Sequence, residues 1–167
     1  MHHDILVPFG PQHPSTKEPV YFKLHLKGEK VARADLRIGY IHRGVEKLLE
    51  GKSVLTAMHI AEKSCGICSY AHSGCYTQAI EKLININIPN NVKLTRTIIA
   101  ELERIHSHLL WLGFLFHEIG LETLFMFFWR ERERILDLFE LLTGNRVHHS
   151  LNWVGTVKHK IKAKRTI

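Results

Sequence analysis

Two short runs near the start of the chain alternate between apolar and polar positions with period two. Val20, Phe22, Leu24 and Leu26 face one way, and Tyr21, Lys23, His25 and Lys27 face the other. After Gly28-Glu29, residues Ala32, Ala34, Leu36 and Ile38 lie opposite Arg33, Asp35 and Arg37. Two such runs about a glycine turn predict a β-hairpin with one buried face. The segment before it, residues 4–19, holds four of the five prolines. Proline donates no ladder hydrogen bond and restricts the residue before it, so this segment is expected to be extended and irregular, with a short strand at most.

From Gly39 the period lengthens to that of a helix. Val45, Leu48 and Leu49 suggest a short helix closing at Gly51, and Ser53 stands where an N-cap would open a second over 54–62. A third is expected over 71–83. The longest is expected over 92–113, with Leu94, Ile98, Leu102, Ile105, Leu109 and Leu112 as its apolar stripe. Its Glu101, Glu103, Arg104, His106 and His108 are expected on a solvated face with i,i+4 pairing. Residues 109–129 are apolar enough to match a bilayer in length. However, His117, Glu118 and Glu122 fall in the middle, Gly113 and Gly120 interrupt it, and one central acidic residue costs about 2.5–3.5 kcal/mol on insertion. A buried helix–turn–helix junction is the better expectation. A last helix over 122–142 is stopped by Thr143-Gly144-Asn145, and its charged run from Arg130 to Arg134 reads as solvated or subunit-facing. The fold class is therefore α+β, mainly α, with an N-terminal hairpin followed by a bundle of long helices. Residues 1–157 are expected to form one domain and 158–167 a basic, unstructured tail.

Charge changes this picture little once it is located. The net charge is +7, but Lys158, Lys160, Lys162, Lys164 and Arg165 supply five of those charges, leaving +2 on residues 1–157. No basic face interleaved with aromatics appears, so a nucleic-acid partner is not expected. The three cysteines are too few for a disulfide framework, a reducing compartment is expected, and no signal peptide is visible.

Chemistry concentrates in Glu62-Lys63-Ser64-Cys65-Gly66-Ile67-Cys68-Ser69-Tyr70-Ala71-His72. Two thiolates at Cys-x-x-Cys spacing can hold one soft metal, and a helix N-terminus just beyond them favours thiolate. The spacing alone leaves open a redox dithiol, half of a zinc site or two buried thiols. Cys75 has no matching partner and is expected to be a small buried side chain.

Four further stretches occur with this one in a fixed order: Phe9-Gly10-Pro11-Gln12-His13-Pro14, Gly39-Tyr40-Ile41-His42-Arg43-Gly44-Val45-Glu46-Lys47-Leu48, Ala100-Glu101-Leu102-Glu103-Arg104-Ile105-His106-Ser107-His108-Leu109, and Phe128-Trp129-Arg130-Glu131-Arg132-Glu133. The series resembles the N-terminal part of membrane-bound, energy-converting [NiFe] hydrogenase large subunits, whose superfamily includes the quinone-side large subunit of complex I. The complex I branch lacks the metal-binding cysteines, so Cys65 and Cys68 place the resemblance nearer the hydrogenases. That resemblance implies a Ni-Fe centre with Cys65 as a terminal nickel ligand, Cys68 bridging nickel and iron, and His72 donating to the bridging sulfur. It also implies Glu18 as the proton acceptor, with His13, His42, Arg43 and Glu46 as a polar scaffold around the site. The family carries a second Cys-x-x-Cys farther along a longer chain, so the resemblance implies half of the ligand set and no turnover by this chain alone. As partners it implies an iron–sulfur small subunit, the C-terminal half or companion chain of the large subunit, and membrane ion-translocating subunits. The expected location is the cytoplasmic face of a membrane complex. The alternative it leaves is a complex I–like large-subunit homologue, or a scaffold without nickel. Two departures stand out. Lys63 replaces a family arginine, and an ammonium is no bidentate guanidinium. Val154-Gly155-Thr156-Val157 replaces a segment with paired glycines.

Overall fold

The computed structural model describes residues 4–159, which divide into two compact units, one up to Gly44 and one from Val45 onward. The fold is α+β and mainly helical, as expected. The expected tail, apart from Lys158 and His159, lies outside the described residues.

In the first unit β1 (Asp4–Phe9), β2 (Tyr21–Lys27) and β3 (Lys30–Arg37) form an antiparallel sheet in the order β1-β2-β3. The β2–β3 hairpin is the one the alternation predicts, with Tyr21 opposite Arg37 and Lys27 opposite Lys30. Its register shifts beside His25 and Leu26, where β3 accommodates an extra residue as a bulge. The leading segment forms more strand than expected, because six of its residues pair with β2, from Asp4 opposite Lys27 to Phe9 opposite Phe22. Pro8 is tolerated because β1 is an edge strand. At Gly10 φ is +91° and a Cβ would run into the Val20 carbonyl, so only glycine fits. The expectation of a buried sheet face fails: Val31 is 56% and Leu36 58% exposed. The described residues of this unit include no helix to supply a second layer.

The second unit contains α1 (Val45–Leu49), α2 (Val54–Glu62), α3 (Ser69–Leu83), α4 (Asn90–Glu118), α5 (Glu122–Thr143), β4 (Asn152–Trp153) and β5 (Thr156–Val157). Ser53 caps α2 by accepting the Thr56 N–H at 3.3 Å, and Gly144 ends α5 in the left-handed region. The short β4–β5 hairpin had no periodicity to announce it. α4 and α5 run antiparallel, with Phe116 stacked on Phe128 at 5.2 Å and Phe114 edge-on to Trp129 at 6.0 Å. The helix–turn–helix junction is present, but its tip is not buried: Trp111 and Ile119 are each 60% exposed and Met126 64%. No helix among the described residues is long and apolar enough to cross a membrane.

Gly113 does not interrupt α4. A Cβ there would stand 2.7 Å from Trp129 Cδ1, so the missing side chain is what lets the indole pack against the helix. Alanine would gain about 1 kcal/mol of helix propensity and lose about 1–3 kcal/mol to overpacking. Gly113→Ala is expected to lower stability by about 1 kcal/mol in a urea melt, and unchanged stability would contradict the packing role.

The faces of α4 are not those the stripe predicts. Val92, Ile99, Glu103, His106 and Gly113 are buried, whereas Leu94, Ile98 and Ile105 are exposed. The core of the unit is Tyr70, Ile99, Leu136, Phe139 and Leu151. Glu103 and His106 point into it because each finds a polar partner there. Arg132, expected in a solvated run, is 9% exposed, donates from Nη2 to His106 Nε2 at 2.5 Å and lies over the Trp129 ring at 5.4 Å. Burial first, then the charge of Arg132 and the proximity of His149, holds the His106 pKa down at about 4. Burial lowers His149 as well, against the Asn145 carbonyl and Glu62. The unfolded chain, with histidine near 6.5, then binds more protons than the folded one at mildly acid pH. His106 stabilises fully above about pH 6.5, and roughly 2–3 kcal/mol is lost as the pH falls through 4. Urea midpoints should therefore drop between pH 7 and pH 4.5, and a smaller drop is expected in His106→Gln.

Candidate metal centre

The thiol pair sits on the link between α2 and α3, and each end of that link is fixed from elsewhere. On the α2 side, Glu62 is 1% exposed and accepts the Ser150 N–H at 2.7 Å and the Ser150 hydroxyl at 2.9 Å. On the α3 side, Cys68 occupies the N-cap without a side-chain cap bond. The capping is done by Glu103 of α4, whose two carboxylate oxygens accept the Tyr70 N–H at 2.6 Å and the Ala71 N–H at 2.8 Å. A helix start left with free N–H groups is thereby satisfied, and a carboxylate is placed at the positive end of the helix. Glu103 is 5% exposed, and burial pushes its carboxyl above the ordinary value despite those two donors, with Glu62 adding to the push.

Between these anchors the Cys65 and Cys68 sulfurs lie 2.6 Å apart. Cys65 Sγ also accepts the N–H groups of Cys68 at 3.2 Å and Ile67 at 3.4 Å. Burial pushes the Cys65 thiol up, but the Cys68 thiol and the two amides outweigh it and leave the pKa below the ordinary value. Burial and donation toward Cys65 push Cys68 up to about 11. The pair is therefore polarised, with Cys65 the readier thiolate. The His72 ring, one turn into α3, brings a nitrogen close enough that the donor atoms of Cys65, Cys68 and His72 all lie within 4.8 Å of one another. Both cysteines are half-buried and His72 is exposed. Two soft sulfurs and an imidazole on one side of a fixed loop fit a soft or borderline divalent metal.

The structure thus brings together Cys65, Cys68 and His72. Glu18 belongs to the other unit, exposed on the loop between β1 and β2 beside a cleft of about 350 Å³ lined by Pro11, His13 and Lys17. Cys75, expected to be buried, is exposed on α3. Sequence reasoning gave Glu62 no role and placed Glu103 on a solvated face, whereas both are buried. Two carboxylates flanking an apolar helical pattern were the only signal, and it does not separate burial from exposure. A larger cleft of about 560 Å³ between α3 and α4, lined by Gln78, Lys82, Lys93 and Thr97 among others, includes none of the three donors.

Residues 43–118 match the family described as nickel-dependent hydrogenase, and residues 118–166 match the 49 kDa subunit of respiratory-chain NADH dehydrogenase. Between them the two families match residues 43–166. It is 41% identical to the membrane-bound hydrogenase subunit alpha of Pyrococcus furiosus, over 98% of this chain and 39% of that protein. It is 39% identical to a subunit of the F(420)H(2) dehydrogenase of Methanosarcina mazei, over 93% of this chain and 41% of that protein. It is 36% identical to a subunit of the NADH-quinone oxidoreductase of Chloroflexus aurantiacus, over 91% and 37%. Among solved structures, a chain of the membrane-bound sulfane sulfur reductase, an archaeal respiratory membrane complex, superposes with a TM-score of 0.84 at 30% identity, covering 97% of this chain and 43% of that one. The chain thus spans well under half the length of these relatives, two of which are named as membrane-bound.

Proposed function

We propose that the chain is the N-terminal portion of the catalytic large subunit of an energy-converting [NiFe] hydrogenase, interconverting H2 with protons and electrons. The observation that carries this is the Cys65–Cys68 pair with His72 at ligand distance, in a chain similar to the alpha subunit of a membrane-bound hydrogenase. When bound, a Ni-Fe centre would supply the binding and polarisation of H2. The chain's own part is to hold that centre through the Cys65 and Cys68 sulfurs, with the loop geometry fixed by Glu62 and Glu103. His72 orients the Cys68 sulfur from its ring nitrogen, and Glu18 takes the proton on a carboxylate oxygen. The two remaining thiolates come from the part of the large subunit this chain does not span, so the 167-residue protein alone turns over no H2. Electrons leave through iron–sulfur clusters in a small subunit, since three cysteines cannot also build a four-thiolate cluster here. The assembled complex sits on the cytoplasmic face of a membrane beside ion-translocating subunits.

The competing reading is a complex I–like large-subunit homologue or a scaffold without nickel. It is favoured by the match of residues 118–166 to the 49 kDa family. Metal analysis of the native complex decides between them. Nickel and iron at about one each support the hydrogenase, and absence of nickel supports the scaffold.

A further inference from the structure

The cleft between α3 and α4 is walled by one face of each helix. Tyr70, Gly74, Gln78 and Glu81 recur along α3, and Lys93, Arg96 and Ala100 along α4, in steps of three and four residues. Asn152 of β4 lines it as well. Three buried polar atoms of this lining have no hydrogen-bond partner: the Tyr70 hydroxyl, Asn152 Oδ1 and Arg96 Nε. Tyr70 is 3% and Asn152 1% exposed. Their neighbours explain what is left over. Ser73 donates its hydroxyl to the Tyr70 carbonyl at 3.1 Å, so its oxygen accepts from Asn152 Nδ2 at 3.0 Å and the amide oxygen stays free. Arg96 uses both Nη groups on Glu81 and on the Trp153 and Thr156 carbonyls, which leaves its Nε–H. Burial pushes the Tyr70 phenol above its ordinary range, with the Arg96 charge and the Asn152 amide pulling against it. The hydroxyl is therefore neutral, able to donate and to accept, and it lies near both groups without a bond of normal geometry to either. Folded interiors rarely leave such atoms unpaired.

We propose that this cleft binds a small amphipathic anion, an ω-hydroxy carboxylate, with its hydroxyl against Tyr70, Asn152 and Arg96 and its carboxylate beside Lys82 and Lys93. A hydroxyl is the smallest group that accepts from Arg96 Nε while donating to Asn152 Oδ1, with Tyr70 serving in either sense. Lys82 and Lys93 are exposed residues of the same lining. Lys82 stands eight residues beyond Gly74, roughly 12 Å along α3, so the charged end of the ligand lies well away from its hydroxyl. Ile86, Ile88 and Ala100 supply apolar wall for the carbon chain. A volume of about 560 Å³ suits a ligand of this size. A metal cation fits worse, because the lining holds no His or Cys and its one acidic residue, Glu81, already gives both oxygens to Arg96. A bare inorganic anion fits worse too, since at the lysines it leaves the three buried atoms unpaired. None of Cys65, Cys68 and His72 lines the cleft, so the inference stands apart from the metal reading.

The probes are ω-hydroxyoctanoate, octanoate and octanediol, each titrated calorimetrically against the full 167-residue chain. Wild type should bind ω-hydroxyoctanoate, and octanoate about 10-fold more weakly, because octanoate brings no hydroxyl to the buried atoms. Tyr70→Phe should lose about 10-fold for ω-hydroxyoctanoate and nothing for octanoate. Without ligand, its urea midpoint should match wild type or exceed it, because the hydroxyl it removes has no partner to lose. Lys82→Gln/Lys93→Gln, altered only at exposed positions, should weaken both carboxylates by about threefold or more and leave octanediol unchanged. No binding of ω-hydroxyoctanoate by wild type up to about 10 mM assigns the three atoms to water alone and overturns the inference. Equal losses for both carboxylates in Tyr70→Phe overturn it as well, as does a lowered urea midpoint in that variant, which would show the hydroxyl already satisfied. Unchanged carboxylate binding in the double lysine variant overturns the placement of the anionic end.

Discussion

Arg96→Ala is expected to cost about 3–5 kcal/mol, enough to unfold much of the helical unit at moderate urea. Arg96 and Glu81 are 11% and 6% exposed and meet through two parallel bonds, Nη1 to Oε2 at 2.9 Å and Nη2 to Oε1 at 2.6 Å. The same Nη2 reaches the carbonyls of Trp153 at 2.8 Å and Thr156 at 3.0 Å, and Glu81 accepts the Gly155 N–H at 2.7 Å. One ion pair therefore joins α3, α4 and the β4–β5 hairpin. Burial alone would push the Glu81 carboxyl up, but the Arg96 bonds and the Gly155 amide overcome it and hold it below the ordinary value. Without Arg96 the carboxylate stays buried with one amide donor, and two carbonyls lose theirs. Removing the charge as well, in Glu81→Gln/Arg96→Ala, should recover part of the loss because the desolvated anion is gone. A double variant as unstable as the single one would place the cost in the carbonyls instead.

Cys68→Ser and Cys65→Ser should each weaken Co²⁺ binding by roughly 100-fold or more and cut the thiolate-to-metal absorption by about half. The double variant should lose that absorption altogether. A hydroxyl at either position is a hard, weakly acidic donor where a soft one is required, and His72 with one thiolate is too small a set to compensate. Both serines are nearly isosteric with the cysteines, and neither position lies in the core, so urea stability should hardly change. Nickel retained at wild-type level in a native complex carrying Cys65→Ser would remove the thiol pair from the centre.

What the sequence made legible follows from the range of the interactions involved. The β2–β3 hairpin, the Ser53 cap and the Gly144 stop depend on neighbours within a few residues, and local pattern was enough to find them. Cys65, Cys68 and His72 meet because they fall within eight residues across a helix start. The buried polar groups could not be found this way. Glu103 is buried because it caps amides 32 and 33 positions away, and Glu62 because its donors are 88 positions away. A carboxylate beside an apolar helical stripe looks the same in sequence whether water or a distant amide receives it. Gly113 was misread for a similar reason, since its role is set by Trp129 on the next helix. The exposed sheet and the bare side of α4 departed from expectation because an apolar pattern marks which residues share a face and does not say what covers that face.

The two glutamates also bear on how the thiol loop could be moved or imitated. A synthetic peptide over residues 62–83 would hold both cysteines, His72 and all of α3, but it would lack Glu103 and Ser150. Its helix would begin with uncapped amides and its loop would be untethered at both ends. The Cys-x-x-Cys here is not a portable cassette, because its bite is inherited from two distant stretches of the chain. Grafting it onto another scaffold would require carrying over the α4 carboxylate and the Ser150 segment as well.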